Sequence, residues 1–294
     1  MLQTGKKTDK IQAVEISQNV ETLKTNSLEL RQGEKIYFAS DFHLGIPDHA
    51  SSLIRERLLV EWLELIRKDA REIYLMGDLF DFWFEYKTVV PKGFVRLFGK
   101  LAEITDSGIA VHLFRGNHDI WAFDYLAQEI NINLHRESQI KIFNGHHLFL
   151  AHGDGLGPGD TGYKMLKKVF EFKPNQWLFR WIHPDIGTRL ALYFSRKSRY
   201  ANNLKKAEGE NIRERTIYDE RLYHFSKEML VIDPAINFFI FGHQHEPMDE
   251  PISAESRMII LGDWLQNFSY AVFDGQDMSL HYFKTEKAAD DKDL

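Results

Sequence analysis

Glu72-Ile73-Tyr74-Leu75-Met76-Gly77-Asp78-Leu79-Phe80-Asp81 is an apolar run that breaks at a glycine and delivers two carboxylates. The run is too short for a helix and reads as a buried strand with Asp78 at its carboxyl end. A carboxylate has two oxygens, so one Asp at such a point can stand between two metal ions and hold the pair together. The pattern recurs on either side. Lys35-Ile36-Tyr37-Phe38-Ala39 runs into Ser40-Asp41-Phe42-His43, and Val111-His112-Leu113-Phe114 runs into Arg115-Gly116-Asn117-His118-Asp119.

Helical spacing separates these runs. Leu58, Leu59, Trp62, Leu63, Leu65 and Ile66 place a helix over 52–68; a second is expected over 94–105 and a third leading through Leu126. Strands alternating with helices imply a βαβ sheet, and open α/β sheets bind ligands beyond the carboxyl ends of their strands. The three polar clusters are therefore expected to meet. Beyond them, 139–143 and 147–151 flank Asn144-Gly145, a hairpin signal, and the second strand delivers His152-Gly153-Asp154. A further buried strand, 237–241, ends at Gly242-His243-Gln244-His245; short strands are expected at 258–261, 268–273 and 279–283. Residues 1–34 read as a loose N-terminal extension and 284–294 as a frayed tail.

With 294 residues, 44% hydrophobic, the chain can bury one large elaborated core. It has no Cys, which excludes disulfides and thiolate metal sites, so any metal must take O and N ligands. No run is long enough to span a bilayer and the first residues are too polar for a secretory signal, so a cytoplasmic location is expected. The net charge of −6 hides an asymmetry: between Thr161 and Lys206, 11 Lys and Arg face 2 Asp and Glu, a local +9 that leaves −15 elsewhere. That segment, within a helical insertion expected at about 156–230, should meet something anionic. Nucleic acid fits poorly, because the whole protein is acidic and the segment's aromatics sit at helical rather than platform spacing.

Five strand ends thus carry Asp41 and His43, Asp78, Asn117 and His118, His152, and His243 and His245. Singly each has a bland reading: a solvated loop, a helix cap at Asn117, a satisfied histidine at 152. Jointly they are what two-metal phosphoryl hydrolysis requires, with Asp41, His43, Asp78 and His245 around one ion and Asp78, Asn117, His152 and His243 around the other. Such a pair lowers the pKa of a shared water and neutralises charge on the phosphorus oxygens. If the backbone is extended, the x between Asp41 and His43, and between His243 and His245, puts both members of each pair on one side.

Asp-x-His, Gly-Asp-x-x-Asp, Gly-Asn-His-Asp, His-Gly-Asp and Gly-His-x-His, in this order over 35–283, resemble the calcineurin-like metallophosphoesterases. The resemblance implies an α/β four-layer sandwich, two mixed β-sheets flanked by helices, with a dimetal, most simply dimanganese, site at one edge; an O/N donor set is compatible with manganese. Within that superfamily, His152-Gly153-Asp154-Gly155-Leu156 with Asp160 and Tyr163, and Ser198 with Asn202 and Lys205, resemble the UDP-2,3-diacylglucosamine diphosphatases of lipid A synthesis. This implies release of UMP and 2,3-diacylglucosamine 1-phosphate by attack at the α-phosphorus, and a helical lid over two acyl chains. It further implies substrate contacts at Asn117, Asp160, Tyr163, Ser198, Asn202, Lys205 and His243.

The residues of the insertion agree with an acylated nucleotide sugar and with peripheral contact at the inner face of a membrane. Phe170, Phe172, Trp177, Phe179, Trp181, Tyr193 and Phe194 alternate with Lys and Arg, which suits acyl chains and an anionic interface. The plain alternative is a helical cap with core aromatics and solvated charges. Two departures stand out: the diphosphatases place Arg where this chain has His118, and Glu85-Tyr86-Lys87 replaces an acidic pair. His118 can protonate a leaving group or stabilise charge at phosphorus, which keeps open a phosphodiesterase or nucleotide pyrophosphatase with another substrate. A fold retained as a non-catalytic scaffold is the third reading.

Overall fold

The computed structural model describes residues 27–159, 161–195 and 221–283. One sheet is ordered β12-β11-β2-β3-β4-β5, from Met278–Tyr282, Ser269–Phe273, Lys35–Ala39, Ala70–Leu75, Ala110–Phe114 and Asn133–His135. The other is β1-β6-β7-β8-β10-β9, from Ser27–Leu28, Gln139–Phe143, His146–Ala151, Ile236–Phe241, Arg257–Ile260 and Met248–Pro251. Strands β2, β3, β4 and β5 are mutually parallel, as are β7, β8 and β10, so their carboxyl ends share an edge.

The inner strands, such as β2, β4, β8 and β10, bury both faces, which is why their runs read as nearly continuous apolar residues. Ile36, Phe38, Tyr74, Met76 and Phe114 meet Leu148, Leu150, Phe238, Ile240 and Ile259 between the sheets. On the outer face of the first sheet, Tyr37, Ile73, Leu75, Val111 and Leu113 pack against Leu59, Trp62 and Leu63 of α1 (His49–Ile66) and Leu97, Leu101 and Ile104 of α2 (Val95–Asp106). On the outer face of the second, Phe149, Phe239 and Phe241 take Leu222, Phe225 and Met229 of α7 (Arg221–Ile232). The result is the expected order of helix, sheet, sheet, helix. Helices α3 (Tyr125–Ile130), α4 (Thr161–Glu171), α5 (Lys173–Phe179) and α6 (184–195) complete the described chain.

Asn144 and Gly145, at φ 48° and 80°, form the left-handed two-residue turn that joins β6 and β7. Three boundaries differ from the sequence reading. Residues 27–30 are not a loose extension: β1 pairs with β6 and Leu30 N donates to Asn144 Oδ1 at 2.7 Å. The chain after Asp119 stays irregular to Asp124 before α3 begins. The C-terminal end of the expected insertion, α7, belongs to the core, because its apolar face covers the second sheet.

Candidate metal centre

The turns after β2, β3, β4, β7 and β8 bring Asp41, His43, Asp78, Asn117, His118, His152, His243 and His245 together. Extended alternation is not how they converge. Asp41, His43, Asp78 and His243 have φ of 58°, 44°, 51° and 65°, so the chain leaves each strand through left-handed turns that swing these side chains over the sheet edge. Non-glycine residues held there are strained, and such strain gathers at functional sites. The glycines in the motifs have a steric cause. A Cβ on Gly116 would lie 2.6 Å from Asp78 N, and one on Gly242 2.6 Å from Asp41 Oδ2.

The donor atoms face one another. His43 Nε2 is 3.7 Å from Asp41 Oδ1 and 3.8 Å from Asp78 Oδ2. His152 Nε2 is 3.4 Å from the same Asp78 Oδ2, and His245 Nε2 is 4.0 Å from Asp41 Oδ1. Asn117 Oδ1 stands 3.0 Å from His243 Nδ1 and 3.4 Å from His152 Nε2. Two atoms each about 2.2 Å from one ion are at most about 4.4 Å apart, so these spacings admit shared cations. Asp78 Oδ2 faces both halves of the cluster, while its Oδ1 accepts from His118 N at 2.9 Å. Asp78 is therefore the residue that would hold both ions.

The imidazoles are set up as ligands. His152 Nδ1 donates to Met76 O at 2.8 Å, and His245 Nδ1 donates to Asp263 Oδ2 at 3.1 Å, which turns Nε2 of each toward the cluster. Burial opposes protonation of His43, but Asp41, Asp81 and Asp78 outweigh it and hold the pKa at about 9. His152 is likewise buried, and chiefly Asp78 lifts it to about 10. Asp78 is also buried, yet the histidines around it, His152 first, keep it ionised well below the usual carboxylate range. Among the described residues Asp41 Oδ1 and His43 Nε2 are buried without a hydrogen-bond partner. A divalent cation would satisfy both, so the residues fit a metal pair.

Supporting groups lie behind the donors, and one of them, Asp263, is not among the motif residues read from the sequence. Asp263 orients His245; its signal was available, since Leu261-Gly262-Asp263 repeats the strand-Gly-Asp pattern of residues 75–78. Asp119 accepts from Leu79 N at 2.8 Å and Gly116 N at 2.6 Å, clamping the Asp78 and Asn117 loops together. Asp81 Oδ1 is 3.5 Å from Nδ1 of both His43 and His118 and completes a further group able to hold a metal. His118 Nδ1 donates to Asp81 O at 2.8 Å, which makes Nε2 the nitrogen that can gain or give a proton. Glu85 is structural: it is buried and accepts from Trp83 Nε1, Asp124 N and Tyr125 N.

The insertion is anchored to the same edge. Tyr163 donates to Asp154 Oδ2 at 2.6 Å, and Lys167 reaches that oxygen at 2.7 Å, two residues beyond His152. Its aromatics divide. Phe170 and Phe179 pack on Trp121, at 5.2 and 4.9 Å between centroids, whereas Phe172, Trp177, Trp181, Tyr193 and Phe194 are exposed. Asp160, Ser198, Asn202 and Lys205 lie outside the described residues.

A family model described as calcineurin-like phosphoesterase matches residues 34–247. The chain belongs to the calcineurin-like phosphoesterase family and is by class a metal-dependent phosphohydrolase. Within that class it is 41% identical over 253 residues to the UDP-2,3-diacylglucosamine hydrolase of Porphyromonas gingivalis, covering 84% of this chain and 96% of the relative. The UDP-2,3-diacylglucosamine hydrolase of Aeromonas salmonicida is 26% identical over 241 residues, 80% of this chain and 88% of its own. A solved dimetal phosphatase from Danio rerio aligns with 85% of this chain and 96% of its own at 13% identity and a TM-score of 0.43.

Proposed function

We propose that the protein hydrolyses the diphosphate of UDP-2,3-diacylglucosamine to UMP and 2,3-diacylglucosamine 1-phosphate, with two manganese ions as its cofactors. The observation that carries this reading is the anchoring of a basic, aromatic insertion to the His152 loop through Asp154. That link ties α4, with its exposed Met165, Leu166 and Val169, to the loop that carries His152, which supports an acylated phosphate substrate. The resemblance to the Porphyromonas gingivalis hydrolase over almost its whole length supports the same substrate.

Asp41, His43, Asp78 and His245 hold one cation in this reading, and Asp78, Asn117, His152 and His243 the other. When bound, two such ions activate a water and neutralise charge on the phosphorus oxygens. The chain's own residues do the rest. Asp263 and Met76 O fix the orientation of His245 and His152, and Asp119 keeps the loops that carry Asp78 and Asn117 in register. His118 Nε2 supplies a proton to, or stabilises charge on, the departing phosphate. Tyr163 is held by Asp154 at the mouth of the site, and Asp160, Ser198, Asn202 and Lys205 complete the substrate contacts.

Manganese-loaded protein should release UMP from UDP-2,3-diacylglucosamine, and a fully loaded preparation that releases none ends the assignment. His118, standing where the diphosphatases place Arg, favours a second reading, a phosphodiesterase or pyrophosphatase of a soluble substrate. Equal turnover of acylated and deacylated UDP-sugars would select it. Among the described residues no helix is long and apolar enough to cross a membrane. Exposed Met165, Trp177 and Trp181 beside Lys and Arg support peripheral binding at the inner face, which flotation with anionic vesicles tests.

A further inference from the structure

A cleft of about 610 Å³ is lined by His152 of the donor cluster and by Asp154, Arg115 and Arg136. Lys167 and Glu171 of α4 also line it. Asp154 is already matched by Lys167 at 2.7 Å. The arginines are not matched. Arg115 Nη1 donates to Ile120 O at 2.8 Å, its Nε is buried without a hydrogen-bond partner, and Arg136 Nη2 donates to Phe123 O at 3.1 Å. Among the described residues neither forms an ion pair, although Glu137 and Glu171 also line the cleft.

Two guanidinium groups that line one cleft without a carboxylate partner cost electrostatic energy that an anion would recover. Guanidinium donors form a fork that suits phosphate oxygens. His152 belongs both to the donor cluster and to the cleft wall, so a group in the cleft adjoins one on the cluster. We infer that Arg115 and Arg136 form a second phosphate subsite, which takes the phosphate of a diphosphate that is not on the donor cluster. The subsite rests on the proposed diphosphate substrate and makes the two arginines determinants of diphosphate over single-phosphate ligands.

The test is calorimetric binding of α,β-methylene-UDP and of UMP to the full manganese-loaded chain and its variants. Arg136→Gln and Arg115→Gln should each weaken α,β-methylene-UDP about tenfold or more, as loss of a charge-assisted pair does. UMP, with one phosphate, should weaken by no more than about threefold, the scale of a screened surface charge. Arg115→Lys should fall between, because a point charge replaces the fork. Equal weakening of both ligands, or weakening of neither, overturns the subsite. Arg136 is exposed, so its variant reports even if Arg115→Gln, which loses the Ile120 bond, unfolds. Binding is read without turnover, so failure to release UMP from the acylated substrate is a separate result.

Discussion

At the scale of single residues, the centre depends on atoms that have no structural partner of their own. Asp78 is buried, with Oδ2 within 4 Å of both His43 and His152. Asp78→Ala should abolish turnover and cost both metals, which metal analysis of the purified variant checks; full turnover would mean that the whole donor assignment is wrong. Asp263 acts at one remove, since it touches His245 Nδ1 and not the reacting atoms. Asp263→Asn should weaken metal binding about tenfold to a hundredfold, the range for a lost outer carboxylate, and excess metal should recover kcat. A kcat defect that persists at saturating metal would give Asp263 another role.

At the scale of elements, β3, β4 and β5 carry a polar stack through the sheet. Tyr74 donates to Glu72, Glu72 lies 3.3 Å from His112, and His112 Nδ1 meets His135 Nε2 at 2.9 Å. Burial, then the neighbouring His112 and Lys141, depress the pKa of His135 to about 3. The unfolded chain therefore binds more protons than the folded one between about pH 6.5 and 3, so stability present above 6.5 is lost as pH falls through that window. The melting temperature should drop from pH 7 to pH 5 less steeply in His135→Asn than in the parent protein. Parallel slopes would show that His135 does not titrate in this way.

At the scale of the whole molecule, two sheets meet at one edge and present a cage of opposed charges that cations complete. Saturating manganese binds only the folded chain, so at 100 times the dissociation constant each ion adds about 2.7 kcal/mol and raises the melting temperature by several degrees. A melting temperature unmoved by manganese or by a chelator contradicts the cage. Much of this was legible beforehand: apolar runs such as 35–39 and 72–76 end in glycine and carboxylate, and 58–66 carries a helical period, because local pattern alone encodes strand, turn and helix. The candidate donors could be named too, since each stands at the end of such a run. What the sequence could not give were contacts between distant stretches. The pairing of β1 with β6, the place of α7 in the core, the partners that Asp119 and Asp263 take, and the cleft that Arg115 and Arg136 share follow from sheet order and twist. The left-handed turns at Asp41 and His243 exist for the same reason: residues with ordinary preferences accept strained dihedrals only where packing from both sheets compels them.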